Sequence, residues 1–340
     1  DALSIVRKRT EEFILNQDVE FSANEIFLRD LFSKEKLDTL TRYILSYIEK
    51  IPIEYLIFIP FPSIENMRED EIKISDNLSI FKIVTNSDYE YFIELFKDTE
   101  VHQSHFLQGK VFLKLNINGY INDLKDTVTI ENAISLLKQF IHLGTIIGFF
   151  SERGFFETIF EPQYDPLMFA FENESTPIHI RNFIFDNSLR DYLRRIKIDE
   201  KENQVELNIN SEKLKLLSKV FNSNDEFVET ILAASEWGIN SRLNENKTFS
   251  FIQICIGLEA ILGKGLSENL TKMLSDRCSY LIGKNYKERN KIRDKFEKLY
   301  EIRSKLVHGR KSQIVLNDAE YLFWGRKTLD QIILKEINTI

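Results

Sequence analysis

The sequence predicts an α+β domain over residues 1–200 and an all-helical domain over residues 211–340. In the first part, short β-branched and aromatic runs are mixed with helical patterns, without the regular strand–helix alternation of a parallel sheet. Beyond residue 210, apolar residues recur at helical spacing with little interruption. The segment between the two parts, residues 197–210 (KIDEKENQVELNIN), is highly polar and has no strong helical stripe. We therefore place the domain boundary within this segment.

The elements expected in the first part follow from local patterns. Helical periodicity covers residues 3–16, 34–50, 87–97 and 132–150, and the last of these helices is expected to be capped by Thr129. Strand patterns cover residues 55–59, 71–75, 78–85 and 106–117, and also residues 155–185, where prolines interrupt the pattern. Asp76 and Asn77 separate two of these strands and predict a hairpin turn.

The second part reads as a series of helices. They are expected over residues 211–221, 225–242, 247–262, 267–283, 286–308 and 317–338. Asn317 or Asp318 would cap the last helix. The buried face of the longest helix is expected to consist of Ile292, Phe296, Leu299, Ile302 and Leu306. Gly309 then provides the residue through which a helix leaves by a left-handed turn.

The composition is that of an ordinary globular protein, with 43% hydrophobic and 29% charged residues. The two cysteines, Cys255 and Cys278, both lie in apolar helical stretches, so neither a disulfide framework nor a zinc site can be built from them. We expect a cytoplasmic protein without a signal peptide, a membrane span, a cofactor or a bound metal.

Three histidines need an interpretation before the main candidate site is considered. His102 and His105 could form a metal-binding pair, but they precede a strand pattern and lack an obvious third ligand, so a surface loop is the favoured interpretation. His142 lies on an apolar helical face, where a core histidine with satisfied hydrogen bonds is expected.

Charge is distributed unevenly along the chain. The net charge is −8, yet residues 284–311 contain 11 Lys/Arg and 4 Asp/Glu, a balance of +7 that leaves −15 for the rest. A local basic stripe on an acidic body is suited to docking a phosphate backbone at one place. The alternative is a solvated helix face with ion pairs such as Asp294–Lys298 and Glu301–Lys305.

Arg303 and His308 are the candidate reactive pair within this basic stripe. Arg303 precedes the expected helix end by about one turn, and His308 lies at that end. A five-residue step separates them by about 140° around the helix and by about 7.5 Å along its axis. One helix therefore does not focus both groups on one atom, whereas two copies packed side by side could. A fixed cation beside a proton-donating imidazole suits an anionic phosphodiester.

Two sequence stretches resemble HEPN domains, and most closely the Apea-like HEPN group. They are residues 251–263 (FIQICIGLEAILG) and residues 300–309 (YEIRSKLVHG), and the resemblance extends over about residues 215–340. It implies a helical bundle that commonly dimerises, and a metal-independent endoribonuclease in which Arg303 and His308 are catalytic. The residue after the arginine is often Asn, Asp or His in active members, and in this chain it is Ser304.

The resemblance also implies roles for neighbouring residues. Glu259 would orient Arg303 or His308; the alternative is a structural ion pair, for which Arg277 is a candidate partner. Arg277 is also a candidate for phosphate contact. The cations Lys305, Arg310 and Lys311 are expected to bind the RNA backbone.

The resemblance further predicts an RNA substrate, a homodimer formed through the helical domain, and an N-terminal domain that senses an unknown trigger. Fusions of this kind belong to prokaryotic defence against phage. Two alternatives remain open at this stage. The first is a non-catalytic HEPN module that binds a nucleotide or a partner, and the second is a purely structural helical adaptor.

Overall fold

A computed structural model describes most of the chain. The described residues are 2–15, 33–62, 64, 66–67, 69–82, 111–121, 127–153, 167–173, 178–203, 207–265 and 270–340. The expected helix over residues 87–97, the pair His102 and His105, and residues 83–85 and 106–110 of two expected strands lie outside them. In the part of the chain that the structure describes, no helix combines the length and apolarity needed to cross a membrane.

The N-terminal half contains the strands and several helices. Its helices are α1 (Ala2–Leu15), α2 (Lys34–Ile48), α3 (Val128–Ile146), α4 (Asn187–Arg195) and α5 (Glu200–Asn203). Its strands are β1 (Ile53–Phe61), β2 (Glu71–Ser75), β3 (Leu78–Lys82), β4 (Val111–Gly119), β5 (Phe150–Glu152), β6 (Leu167–Glu172), β7 (Ile178–Ile184) and β8 (Ile196–Ile198).

The main sheet is antiparallel and has the strand order β2-β3-β4-β1-β6-β7. Strand β1 lies inside it, where Ile53 pairs with Gly119 and Phe61 pairs with Val111 of β4. The short strands β5 and β8 form a separate antiparallel pair. This antiparallel arrangement confirms the expected α+β mixture of strands and helices in the first part of the chain.

Strand β1 has buried apolar side chains on both faces of the sheet. Tyr55, Ile57 and Ile59 are buried in the large core of the protein. Phe58, on the opposite face, packs in a small phenylalanine cluster with partners from β4 and β6, and its ring lies edge-on to those of Phe112 and Phe171. Alternation of side chains along a strand produces this division, and the second cluster accounts for several of the chain's phenylalanines.

The helical half confirms the predicted series of helices to within a few residues. Its helices are α6 (Glu212–Phe221), α7 (Glu226–Leu243), α8 (Lys247–Leu262), α9 (Leu270–Ile282), α10 (Tyr286–Val307) and α11 (Ala319–Ile337), the last preceded by a 3-10 turn at Leu316–Asp318. Helix α8 packs against α7, α9, α10 and α11. Its buried side chains include Phe251, Ile254, Leu258 and Ile261. An apolar helix enclosed by its neighbours is thus the centre of this half.

The two halves share one hydrophobic core. Helix α3 contacts β4 on one side and α6, α7 and α11 on the other. A continuous cluster of buried apolar side chains extends from Ile5 in α1 to Ile337 in α11. The polar segment 197–210 is attached to the N-terminal half at two points, because β8 pairs with β5 and Leu207 forms a bridge with Met67. A domain boundary within this segment stays a prediction.

Helix α3 differs from its sequence-based prediction at both ends. Thr129 is not the N-cap, since Thr127 occupies that position and the helix begins at Val128. The Thr129 hydroxyl instead accepts a hydrogen bond from the Tyr120 N–H at 2.9 Å and donates one to the Tyr120 carbonyl at 3.0 Å. The helix ends at Ile146 rather than at residue 150, because Gly148 adopts a positive φ of 76° and turns the chain into β5.

Candidate functional site

Helix α10 carries the candidate pair, and its ends are defined by local hydrogen bonds. The Asn285 side chain accepts a hydrogen bond from the Glu288 N–H at the start of the helix. Gly309, with a φ of 67°, follows the last turn. The predicted apolar face is confirmed: Phe296, Leu299 and Ile302 are buried, and the other two members are half-buried.

Glu259 of α8 holds the guanidinium group of Arg303. Arg303 Nη2 lies 2.9 Å from Oε1 and donates a hydrogen bond to Oε2 at 3.1 Å. The side chains of Arg303 and Glu259 are 28% and 22% exposed, so the pair lies at the edge of the core. A carboxylate at such a depth requires a cation, and the same cation keeps part of its surface accessible. The expected contact between Glu259 and Arg303 is therefore present.

Tyr300 lies next to the Arg303 side chain, one turn earlier on α10. The Arg303 Cζ atom lies 5.9 Å from the centre of the Tyr300 ring, and this ring stacks on Phe296 at 4.8 Å. The Tyr300 hydroxyl donates a hydrogen bond to the Cys255 carbonyl at 3.4 Å. Burial raises the pKa of Tyr300, so its hydroxyl stays protonated. Tyr300 was not among the predicted site residues, although its i,i+3 spacing from Arg303 was a usable signal.

His308 is exposed at the end of α10. Its backbone N–H donates to the Ser304 carbonyl at 3.0 Å, which closes the final turn and leaves the imidazole at the surface. Ser304 is itself exposed on the last turn. Arg303 and His308 thus belong to the same helix end, with the arginine fixed against the core and the histidine open to solvent.

The cations around this helix end differ in whether they form ion pairs with carboxylates. Lys305 forms an ion pair with Glu301 at 2.5 Å, as predicted. The predicted partner of Lys298 was wrong: Lys298 contacts Glu301 at 2.7 Å rather than Asp294. Hydrogen bonds from Lys298 and Lys305 lower the pKa of Glu301 to about 2. Lys298 precedes Glu301 by three residues and Lys305 follows it by four, so both lysines lie on the same helix face as Glu301. Glu301 can therefore accept hydrogen bonds from both.

Beyond the helix end, Lys311 forms an ion pair with Asp318, which ties the segment after α10 to the start of α11. The Asp318 carboxylate also accepts a hydrogen bond from the Val315 N–H at 2.8 Å. Arg310, between these elements, is exposed. Of the three cations expected to bind RNA, Arg310 is thus the most open, whereas Lys305 and Lys311 have carboxylate partners.

Arg277 does not pair with Glu259, so its candidacy as the partner was wrong; a structural ion pair of Glu259, with Arg303 as the partner, stays open. Arg277 Nη1 donates to the carbonyls of Leu262 at 2.6 Å and Lys264 at 2.8 Å. The Leu262 carbonyl belongs to the last turn of α8, where helical acceptors lack partners within the helix, and Lys264 lies just beyond the helix end. A guanidinium group at that position also interacts favourably with the negative end of the helix dipole.

A second polar cluster joins α3 to the helical half. His142 Nδ1 lies 3.0 Å from Ser235 Oγ, and His142 Nε2 lies 2.9 Å from Arg242 Nη1 and 3.4 Å from Asp330 Oδ1. Arg242 also forms an ion pair with Asp330 at 2.5 Å. Burial lowers the pKa of His142, although the nearby Asp330 carboxylate opposes this shift. The imidazole is therefore neutral, accepts from Arg242 at Nε2, and donates to Ser235 from Nδ1.

This cluster confirms the expectation of a core histidine with hydrogen-bond partners. It brings Ser235, His142 and Asp330 together, but Ser235 is completely buried and His142 is only 1% exposed. A substrate has no access to the serine hydroxyl. The arrangement is thus a structural polar network rather than a nucleophilic triad.

Arg326 extends this network on α11. Its guanidinium donates to Ser241 Oγ at 3.1 Å and to Ser250 Oγ at 2.6 Å. Burial and the neighbouring charge of Arg242 lower the pKa of Arg326 to about 10. The serines hold two helices, α7 and α8, to α11. None of these contacts was anticipated, although charged residues on the largely apolar helix 317–338 were a signal of such a network.

Models of protein families, curated proteins and solved structures were compared with the chain, and none gave a significant match.

We predict that stability falls as the pH is lowered from about 7.5 to about 5.5, and that His142→Gln reduces this loss. The pKa of His142 is lower in the folded protein, so the unfolded chain binds its proton first as the pH falls. One such proton contributes at most about 1.4 kcal/mol per pH unit to the free energy of unfolding. Glutamine keeps a donor and an acceptor but does not titrate. The free energy of unfolding is measured by urea denaturation at both pH values, with His308→Ala as the control variant. An equal pH dependence of this free energy in the wild type and in His142→Gln would contradict the prediction.

Proposed function

We propose that the protein is a metal-independent endoribonuclease of the HEPN type, with Arg303 and His308 as its catalytic pair and the helical half as a HEPN-like bundle. One observation carries the proposal: an exposed histidine ends the same helix on which Glu259 fixes a partly exposed arginine. The residues that resemble the Apea-like HEPN group supply both partners of this contact. We further propose that the protein acts in the cytoplasm as a prokaryotic anti-phage defence or toxin effector whose N-terminal half responds to a trigger.

The proposed reaction uses the substrate's own nucleophile. The ribose 2′-hydroxyl attacks the adjacent phosphorus, and the bond from phosphorus to the 5′ oxygen breaks. The 2′-hydroxyl loses a proton and the 5′ oxygen gains one, which gives a 2′,3′-cyclic phosphate and a 5′-hydroxyl end. His308 would transfer these protons, and Arg303 would stabilise the charge that develops on the phosphoryl oxygens.

A second copy of the chain would complete the site. The offset between Arg303 and His308 on one helix, about 140°, makes it difficult for both to reach one phosphate. Apolar side chains are exposed from the end of α10 to the start of α11, and Leu316 and Phe323 are 89% and 71% exposed. Several exposed apolar residues close together in the chain support an interface at this end. Covering it with a second copy would bring two Arg–His pairs together.

The non-catalytic HEPN module is the second candidate function, and one contact favours it. Glu259 already neutralises Arg303, so part of its hydrogen-bonding capacity is used within the protein. An arginine held in this way could anchor a nucleotide or a partner without chemistry. Cleavage assays separate the two candidates.

We expect His308→Ala to lower RNA cleavage by about 10²- to 10⁴-fold, because it removes the proton-transferring group. Arg303→Lys should also be strongly impaired, because an ammonium group does not reproduce a planar two-pronged contact with phosphate. Cleavage of mixed RNA is measured in EDTA, together with thermal melting of each variant. Arg42→Lys, exposed on α2, is the matched control and should cleave as wild type does.

Full cleavage by His308→Ala would contradict the catalytic assignment. A large fall in melting temperature alongside the loss of activity would favour a structural role for the pair. Absence of cleavage by the wild-type protein, with RNA binding retained, would favour the non-catalytic module.

We expect a homodimer with twice the 40.1 kDa monomer mass in light scattering at micromolar concentration. Leu316→Glu places a charge on the exposed apolar segment and should shift the equilibrium towards monomer, with a parallel loss of cleavage. Leu45→Glu is the matched control, because Leu45 is an exposed leucine on α2. A monomeric wild-type protein that cleaves RNA would contradict the composite site.

A further inference from the structure

A cleft of about 520 Å³ lies at the C-terminal end of α8, apart from the Arg303–His308 pair. Its walls come from the start of α7, from α9 and from the last turns of α11. The lining is largely apolar and includes Phe227, Ile261 and Leu281. This volume is within the range of small-ligand sites, which are usually apolar with a few polar groups.

Tyr280 forms the open wall of the cleft. It is 60% exposed although it is aromatic, and two guanidinium groups of α10 lie over its ring. The Cζ atoms of Arg289 and Arg293 are 4.7 Å and 5.4 Å from the ring centre. A nucleic-acid base stacking on Tyr280 would use the part of the ring that the two arginines leave exposed, with its phosphate beside them.

The two arginines are held in place by α9. Arg293 Nε donates to Asp276 Oδ1 at 2.6 Å, and Arg289 Nε donates to the Gly283 carbonyl at 3.2 Å. Their guanidinium positions are therefore set before any ligand binds, which reduces the entropy lost on binding. Each arginine makes its contact to α9 through Nε, and Arg293 also donates from Nη1 to Asn290.

The cleft is lined by two cations, Lys264 and Arg277, and two carboxylates, Asp276 and Glu336, and the arginines over Tyr280 add positive charge at its edge, where a phosphate could bind. Lys264 lines the cleft and forms an ion pair with Glu226 at 3.1 Å, where both side chains are exposed. Exposed pairs of this kind contribute little free energy and exchange partners readily. Arg289 and Arg293 belong to the basic stripe of residues 284–311. Glu336 faces the cleft as a carboxylate that could accept hydrogen bonds from a base edge.

We propose that this cleft is a second RNA contact site, in which one base of single-stranded RNA stacks on Tyr280 and its phosphate binds Arg289 and Arg293. This inference rests on the proposed function, because it assigns the cleft to the RNA substrate. Arg293 and Arg303 are ten residues apart on α10, so about 15 Å of helix rise separates them. A single strand lying along α10 would reach both the cleft and the reactive pair, and would thereby be held during cleavage.

The test measures binding of a labelled single-stranded oligoribonucleotide by fluorescence anisotropy, with full-length His308→Ala protein so that the RNA stays intact. Tyr280→Ala should weaken binding by about 5- to 100-fold, the range that the loss of one stacked base produces. Tyr280→Phe keeps the ring and should bind as the parent does. Tyr286→Ala is the matched control, since Tyr286 is 78% exposed at the start of α10 but does not line the cleft.

Arg293→Gln provides a second variant, which should weaken binding and reduce its dependence on salt. Equal binding by Tyr280→Ala and its parent, or an equal loss in Tyr286→Ala, would overturn the proposal. Two further arms use adenosine monophosphate and duplex RNA as competitors. If adenosine monophosphate displaces the oligonucleotide at micromolar concentration, the assignment to single-stranded RNA is overturned. The same holds if duplex RNA displaces the oligonucleotide as well as a single strand does.

Failure of this RNA site can be distinguished from failure of the proposed nuclease function. A wild-type protein that binds RNA through Tyr280 but does not cleave it would retain the site and exclude the nuclease. A wild-type protein that cleaves RNA while Tyr280→Ala binds normally would retain the nuclease and exclude the site.

Discussion

The constraint on which the helical half depends is the enclosure of α8. This helix is apolar around most of its circumference, and four helices cover it. Glu259 is its only carboxylate, and a charge at the edge of an apolar core is costly without a partner. Arg303 is that partner, at 2.9 Å. The need to neutralise one carboxylate therefore fixes where α10 presents its guanidinium group, and the exposed His308 follows at the end of the same helix.

The same packing connects this helix end to the rest of the molecule. Helix α3 reaches from the sheet into the helical half, where the buried His142 contacts Arg242 and Arg242 pairs with Asp330. Because such a network is costly to leave partly satisfied, it fixes how the sheet and the bundle meet. At the other end of α10, Arg289 and Arg293 are held against α9. One helix thus carries a fixed cation beside a histidine at one end and a cationic, aromatic surface at the other.

Local patterns in the sequence were sufficient for the helices of the second half and for most strands, since apolar spacing and helix-ending residues such as Gly309 act within a few residues. They were insufficient where partners are distant. Glu259 and Arg303 are 44 positions apart, and the resemblance to a family, rather than any spacing, placed them together. Arg277 was wrong as the candidate partner of Glu259, because a helix C-terminus competes with a carboxylate for a guanidinium group, and only the fold decides which is nearer. The partners of His142 lie between 93 positions (Ser235) and 188 positions (Asp330) along the chain, and they left no local signal beyond its apolar surroundings.

The measurement that tests this account most directly is a double-mutant cycle between Glu259 and Arg303, read by RNA cleavage and by urea unfolding. The variants are Glu259→Gln, Arg303→Lys and the double substitution. If Glu259 acts by holding Arg303, the double variant cleaves RNA no worse than Arg303→Lys, and the coupling free energy in cleavage and stability is about 1 to 3 kcal/mol. Additive effects, or wild-type cleavage by Glu259→Gln, would contradict the account.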